Sequence, residues 1–169
     1  DIVEFIRKGI IWEEWLENFK EGLAAPGGKD KMLFDLTITG PGMFSIKDLF
    51  DLSLELDVRI ETKIMFAFHP DIIFSPFAWP KHILTRKIDE LLEYIEPRAT
   101  HKQMTLVNTL QEMRNRPSFE EDYPDKFAQG KKNGKGYQDR LDSIRDEKIT
   151  IADIYKADDE LYEWWVSND

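Results

Sequence analysis

The sequence predicts an α/β fold: a parallel strand–helix–strand unit within residues 1–70, followed by a mostly helical region over residues 71–169. Three observations carry this reading. Met32 to Thr39 (MLFDLTIT) is rich in β-branched and apolar residues and stops at Gly40-Pro41-Gly42, as a strand does. Ile46, Leu49, Phe50 and Leu54 then recur at helical spacing. A second strand, Ile60 to Phe68, finishes in the continuous apolar run Ile64-Met65-Phe66-Ala67-Phe68, the kind of segment buried on both faces of a parallel sheet. Such a βαβ unit is expected to cross over right-handed.

The other elements follow from the same rules. Trp12, Trp15, Leu16, Phe19 and Leu23 line one side of an amphipathic helix over Ile11 to Ala24, with Glu13, Glu14 and Glu17 on the other. Ala25-Pro26-Gly27-Gly28 ends it. Ser45, with Asp48 three residues on, reads as a capping box for the crossover helix, which Asp57 closes. Asp71 to Pro80 (DIIFSPFAWP) reads as a hydrophobic loop, because Pro76 and Pro80 oppose regular structure. Helices are expected over Lys81 to Ile95 and His101 to Arg114. Short helices should follow Pro117, interrupted at Gly130-Lys131-Lys132-Asn133-Gly134 and resuming at Tyr137 to Arg145. One or two acidic helical turns complete Ile149 to Val166. The segment Lys131 to Arg140 is expected to be a solvated loop, although its basic residues could hold an anion.

Composition narrows the function classes. The chain has 169 residues, 33 acidic against 23 basic side chains, and a formal charge of -10. That balance disfavours a nucleic-acid binder, which needs a basic face. Five Trp and eleven Phe argue for a packed core in spite of the charge. Without cysteine there is no disulfide framework, thiolate metal site or cysteine nucleophile. No apolar run reaches the roughly 20 residues of a membrane span, and the N-terminus lacks the pattern of a signal peptide, so a cytoplasmic location is the default expectation. Two parallel strands leave both edges unpaired and more apolar surface than one helix covers. With Asp1 as the first residue, this favours a fragment of a larger sheet.

Alternation sorts the candidate site residues. Asp35, Thr37 and Thr39 share a face opposite Phe34, Leu36 and Ile38, and Glu61, Lys63, Met65, Ala67 and His69 lie opposite Ile64, Phe66 and Phe68. The apolar face takes the covering helices, so the mixed face would line a crevice or barrel lumen. Ligands of such arrays sit beyond the carboxyl ends of the strands. Thr39 and His69 are therefore candidates, with Thr37 and Lys63 one layer deeper; the plainer alternative makes them ordinary strand and loop residues. His82 and His101 read as surface residues, with no zinc-binding spacing. The sequence contains no G-x-S-x-G elbow, G-x-G-x-x-G or Walker loop. Gly40-Pro41-Gly42 sits where a phosphate-cradling turn would, but Pro41 removes an amide donor. The acidic tail with Trp164 and Trp165 could dock on a basic neighbour or pack home.

Glu4 to Phe19 (EFIRKGIIWEEWLENF) resembles the E-Y-I-R-x-G-x-x-W-x-x-F-L-x-N-L stretch of twitch-domain-containing radical S-adenosylmethionine proteins, with Arg7, Gly9, Trp12 and Asn18 in register. The aromatic-Pro segment Phe68-His69-Pro70, the helix start Trp79-Pro80-Lys81-His82-Ile83, the element RLDSIRDEKI (Arg140 to Ile149) and the acidic helix Asp158 to Trp164 are similar to that family in the same order. The resemblance implies that residues 1–70 are the terminal βα units of a partial (β/α) barrel and residues 71–169 a twitch-like helical region. It implies S-adenosylmethionine and a 4Fe-4S cluster as cofactors of the full-length protein. The cluster's three cysteines would lie in an absent N-terminal half, so this chain alone would be inactive. It implies hydrogen abstraction from a peptide or other biosynthetic substrate. Thr37, Thr39, Lys63 and His69 would then be cofactor-binding candidates of the lumen or strand ends, though none maps onto a family motif. The alternative expectation is a non-catalytic α/β interaction module with an acidic, Trp-containing tail.

Overall fold

The computed structural model of the chain describes residues 2, 9–65, 72–144 and 149–167. The end of the apolar run at Phe66 to Phe68, His69-Pro70 and Arg7 of the opening motif lie outside these residues.

Helix α1 (Trp12–Ala24) stacks its aromatic residues inward: Trp12 on Trp15 at 5.2 Å, Trp15 on Phe19 at 5.1 Å, and Phe19 on Phe34 of the sheet at 4.8 Å between ring centroids. The i, i+3, i+4 spacing that predicts this helix is what aligns the rings. A short helix, α2 (Gly28–Lys31), turns the chain into strand β1 (Leu33–Ile38). A Cβ on Gly28 would stand 2.0 Å from the carbonyl oxygen of Gly22, so only glycine permits that turn.

Strand β1 pairs in parallel with β2 (Arg59–Ile64), Phe34 opposite Ile60, Leu36 opposite Thr62 and Ile38 opposite Ile64. The crossover runs through a 3-10 turn, Pro41–Ser45, and helix α3 (Ile46–Glu55). The turn revises one expectation. Ser45 stands at the N-cap position, but its side chain makes no capping hydrogen bond, because the 3-10 turn already winds the chain into the helix. Asp57 ends the crossover helix with φ of 54°, the left-handed conformation usual for glycine at this place. Lys102 holds it there by hydrogen-bonding its carbonyl and pairing with its carboxylate, each at 2.7 Å, and that pairing lowers the Asp57 pKa.

The described sheet has two strands. Its apolar face, with Phe34, Ile38 and Ile60 buried, lies under α1, α3 and helix α5 (Met104–Asn115). Thr62 and Thr109 exchange a 2.6 Å hydrogen bond across the last contact. At the outer edge of β2 the Ile60 amide donates to Lys102, and the buried Gln103 amide donates to the Val58 carbonyl. Among the described residues no backbone hydrogen bond joins the outer edge of β1 to a third strand.

The remainder is helical: α4 (Lys81–Ile95), α5, α6 (Phe119–Asp122), α7 (Pro124–Ile144), α8 (Ile151–Tyr155) and α9 (Asp159–Val166). The segment expected to be a hydrophobic loop instead forms two 3-10 turns, Ile72–Phe74 and Pro76–Ala78, the second begun by Ser75 and Pro76. A second correction concerns Gly130 to Gly134, expected to interrupt the chain's helices. Helix α7 runs through it unbroken for 21 residues. Each glycine costs an exposed helix about 1 kcal/mol relative to alanine. Here both are buried in a helix that packs against the Ile72–Phe74 turn. The expected solvated loop is therefore helical, with Lys131 and Lys135 buried. No helix among the described residues is long and apolar enough to cross a membrane.

Candidate functional site

The alternation along β1 and β2 points to the carboxyl ends of the strands. Thr39 is buried, and its hydroxyl oxygen accepts a 3.0 Å hydrogen bond from the Gly42 amide. It therefore shapes the turn that follows β1. Gly40 donates to the Phe74 carbonyl at 2.6 Å, and a Cβ there would come within 3.0 Å of both the Trp79 indole nitrogen and the Tyr155 hydroxyl. Those two groups are themselves joined, Trp79 donating to the Tyr155 oxygen at 3.1 Å. Burial pushes the Tyr155 pKa up, which keeps the phenol neutral and suits it to that bond. Side chains of the helical region thus fill the end of β1.

Thr37 and Lys63 are exposed on the polar face of the sheet, directly opposite each other in the register. Lys63 pairs with Asp35 at 2.6 Å, and Arg59 with Glu61 at 3.1 Å. This row of Asp35, Thr37, Arg59 and Lys63 is open to solvent, whereas Thr39 turns inward. The structure brings Thr37 and Lys63 together and separates them from Thr39 by burial. His69 lies outside the described residues. Among the described residues no three His, Cys, Asp or Glu side chains stand where they could hold a metal ion.

Two further arrangements lie in the helical region, away from the strand pattern that marks Thr37, Thr39, Lys63 and His69. One is a polar stripe on the buried face of α7: Lys131, Lys135 and Gln138, at i, i+4 and i+7. The Lys131 ammonium stands 4.4 Å from the centre of the Trp164 ring and has no hydrogen-bonded carboxylate or carbonyl among the described residues. Burial brings its pKa down to about 8; Glu120 opposes that shift and Lys135 adds to it. Lys135 donates to the Trp165 carbonyl at 3.0 Å. Gln138 donates to Asp142 at 2.5 Å, while its side-chain oxygen is buried without a partner among the described residues. The i, i+4, i+7 spacing was a legible signal, obscured by the glycines between.

The second is an open groove of about 520 Å³ between the first turn of α4 and helix α9. Pro80, Ile83, Trp164 and Val166 form its apolar lining; His82, Glu160, Glu163 and Ser167 supply the polar groups. His82 bonds to Glu160 at 2.7 Å, and Arg86 reaches both Glu160 and Asp158 at 3.0 Å. Glu163 has no cationic partner among the described residues. Trp165, next to Trp164 on α9, is buried edge-on against Tyr155 at 5.6 Å, so that half of the tail's Trp pair packs home.

No protein-family profile matches the chain, and no curated protein or solved structure shows significant similarity to it.

Proposed function

We propose that the chain supplies two terminal βα units and the helical cover of a larger parallel array, the partial barrel of a radical S-adenosylmethionine protein of the twitch-domain class. The observation that carries this reading is the β1–α3–β2 unit itself: parallel, with a charged row on an uncovered face and no third strand on β1 among the described residues. In a closed or partly closed array that row faces a lumen, and the outer edge of β1 accepts the next strand.

The residues present do not fit the cluster. The sequence has no cysteine, and no other metal-holding group occurs among the described residues. Its ligands, and the radical chemistry it supplies, belong to a preceding segment. This chain's part is positional: Thr37 offers a hydroxyl and Lys63 an ammonium to a polar ligand on the open face, while the buried joint at Thr39 and Gly40 holds the strand end rigid. The substrate of such a protein would be a peptide or another biosynthetic molecule that loses a hydrogen atom.

The test is the coding sequence upstream of Asp1. A C-x-x-x-C-x-x-C motif within about 200 residues is expected, since a full barrel runs to roughly 250. The longer product, reconstituted anaerobically, should carry four irons per chain and bind S-adenosylmethionine. An upstream sequence without the motif overturns the proposal.

A further inference from the structure

We propose that the groove between α4 and α9 docks a lysine- or arginine-bearing segment of a basic partner peptide. The proposal goes beyond the barrel reading and does not depend on it, since none of the groove's lining residues belongs to the sheet.

The lining sets the class of occupant. An open groove of about 520 Å³ accommodates one or two side chains, and Pro80, Ile83, Trp164 and Val166 offer apolar surface for the methylene stem of a long one. The head group is chosen by charge. Glu160 is already matched by His82 and Arg86, whereas Glu163, one residue before Trp164, is exposed and has no cationic partner among the described residues. It is the groove's unmatched charge. Helix α9 begins with Asp158, Asp159 and Glu160 and presents its carboxyl end, with Val166 and Ser167, at the groove. Lys135 already meets the Trp165 carbonyl at that end, so Glu163 is what remains for an incoming cation. On the other wall, Pro80 has no amide proton to attract an anion. The chain's net charge of -10 steers a basic partner toward any such surface.

Lys131 refines the geometry. Its ammonium already stands over the Trp164 ring at 4.4 Å, so a second cation on that position would be repelled. Glu163 therefore places the incoming charge, and Trp164 contributes apolar contact.

The experiment is a titration of the 169-residue chain with three blocked hexapeptides, rich in lysine, in glutamate and in serine, followed by amide chemical shifts. Saturable shifts confined to residues 80–83 and 158–167 are expected for the lysine peptide alone. Glu163→Gln should weaken its binding about threefold, the scale of an exposed ion pair. Trp164→Ala should weaken it at least tenfold, as aromatic anchors do. Glu17→Gln, an equal change of net charge on the distant α1, should leave it unaltered. Far-UV circular dichroism checks that each variant is folded, and the Glu163 variant decides the matter if Trp164→Ala is not. Equal losses from Glu17→Gln and Glu163→Gln would reduce the effect to diffuse attraction and overturn the proposal. Binding of the glutamate peptide, or shifts elsewhere, would overturn it as well.

Discussion

The two halves of the molecule bury their apolar residues in different ways. The strand half packs one face of a two-stranded sheet under α1, α3 and α5 and leaves the other, with Asp35, Thr37, Arg59 and Lys63, in solvent. The helical half closes around Trp79, Phe77, Ile88, Leu110 and Tyr155, each 1% exposed or less. Its backbone ends are also tied off: Ser118 and Thr150 both form reciprocal capping boxes, and Asp158 caps α9. The contrast lies in the surface each half leaves open: the sheet keeps a whole polar face in solvent, whereas the helical half, closed around its own core and supporting the molecule, opens at the groove beside α9.

Substitutions test that contrast. The largest effect is expected from Phe77→Ala, which opens a cavity in the helical core and should cost about 3–5 kcal/mol in urea unfolding. A loss under about 1 kcal/mol would mean the helical half is not the support. Gly40→Ala pushes a methyl group against Trp79 and Tyr155 and should cost about 1–3 kcal/mol, because the joint between the halves is already packed. If the halves unfold as one unit, tryptophan fluorescence and circular dichroism will still share one midpoint. Separate midpoints would show that the joint alone couples them. Tyr155→Phe keeps the ring and leaves the Trp79 indole N–H buried without its acceptor, for a loss of about 1–2 kcal/mol.

A smaller contribution depends on pH. Because Lys131 has a folded pKa of about 8 against an ordinary 10.5, the unfolded chain binds more protons between those values, and stability from this group rises with pH across that window. Unfolding of Lys131→Met at pH 7 and at pH 10 should lack most of that rise. Last, Lys63→Met removes an exposed ion pair to Asp35 and should change stability by less than about 1 kcal/mol. A larger loss would indicate that the polar face is covered by something in solution.

Much of the fold was legible. The spacing of Trp15, Phe19 and Leu23 locates α1, that of Ile88, Leu91, Leu92 and Ile95 locates α4, and the βαβ order follows from MLFDLTIT and the run after Arg59. These signals are local, and the period of the apolar residues is enough to place them. The continuity of α7 was not legible, because local propensity at Gly130 and Gly134 opposes it, and tertiary packing against the Ile72–Phe74 turn, α6 and α9 overrides that preference. Ser45 misled for a similar reason: its capping pattern is real in sequence, yet the 3-10 turn from Pro41 takes over the role.

The candidate site divides along the same line. Alternation alone determined that Asp35, Thr37 and Lys63 share a polar face, because side-chain direction in a strand has a period of two residues. It could not determine that Thr39, next in that series, turns inward to bond Gly42, since that depends on the chain folding back over the strand end. Nor could it bring Gly40, Trp79 and Tyr155 together, or set Trp164 between the groove and Lys131. Residues so far apart in sequence meet through the packing of whole helices. Local pattern is enough to tell which residues are apolar, which alternate and where the helices other than α7 run. Which polar groups are matched, and which, like Glu163, stay open, follows from how distant segments pack together.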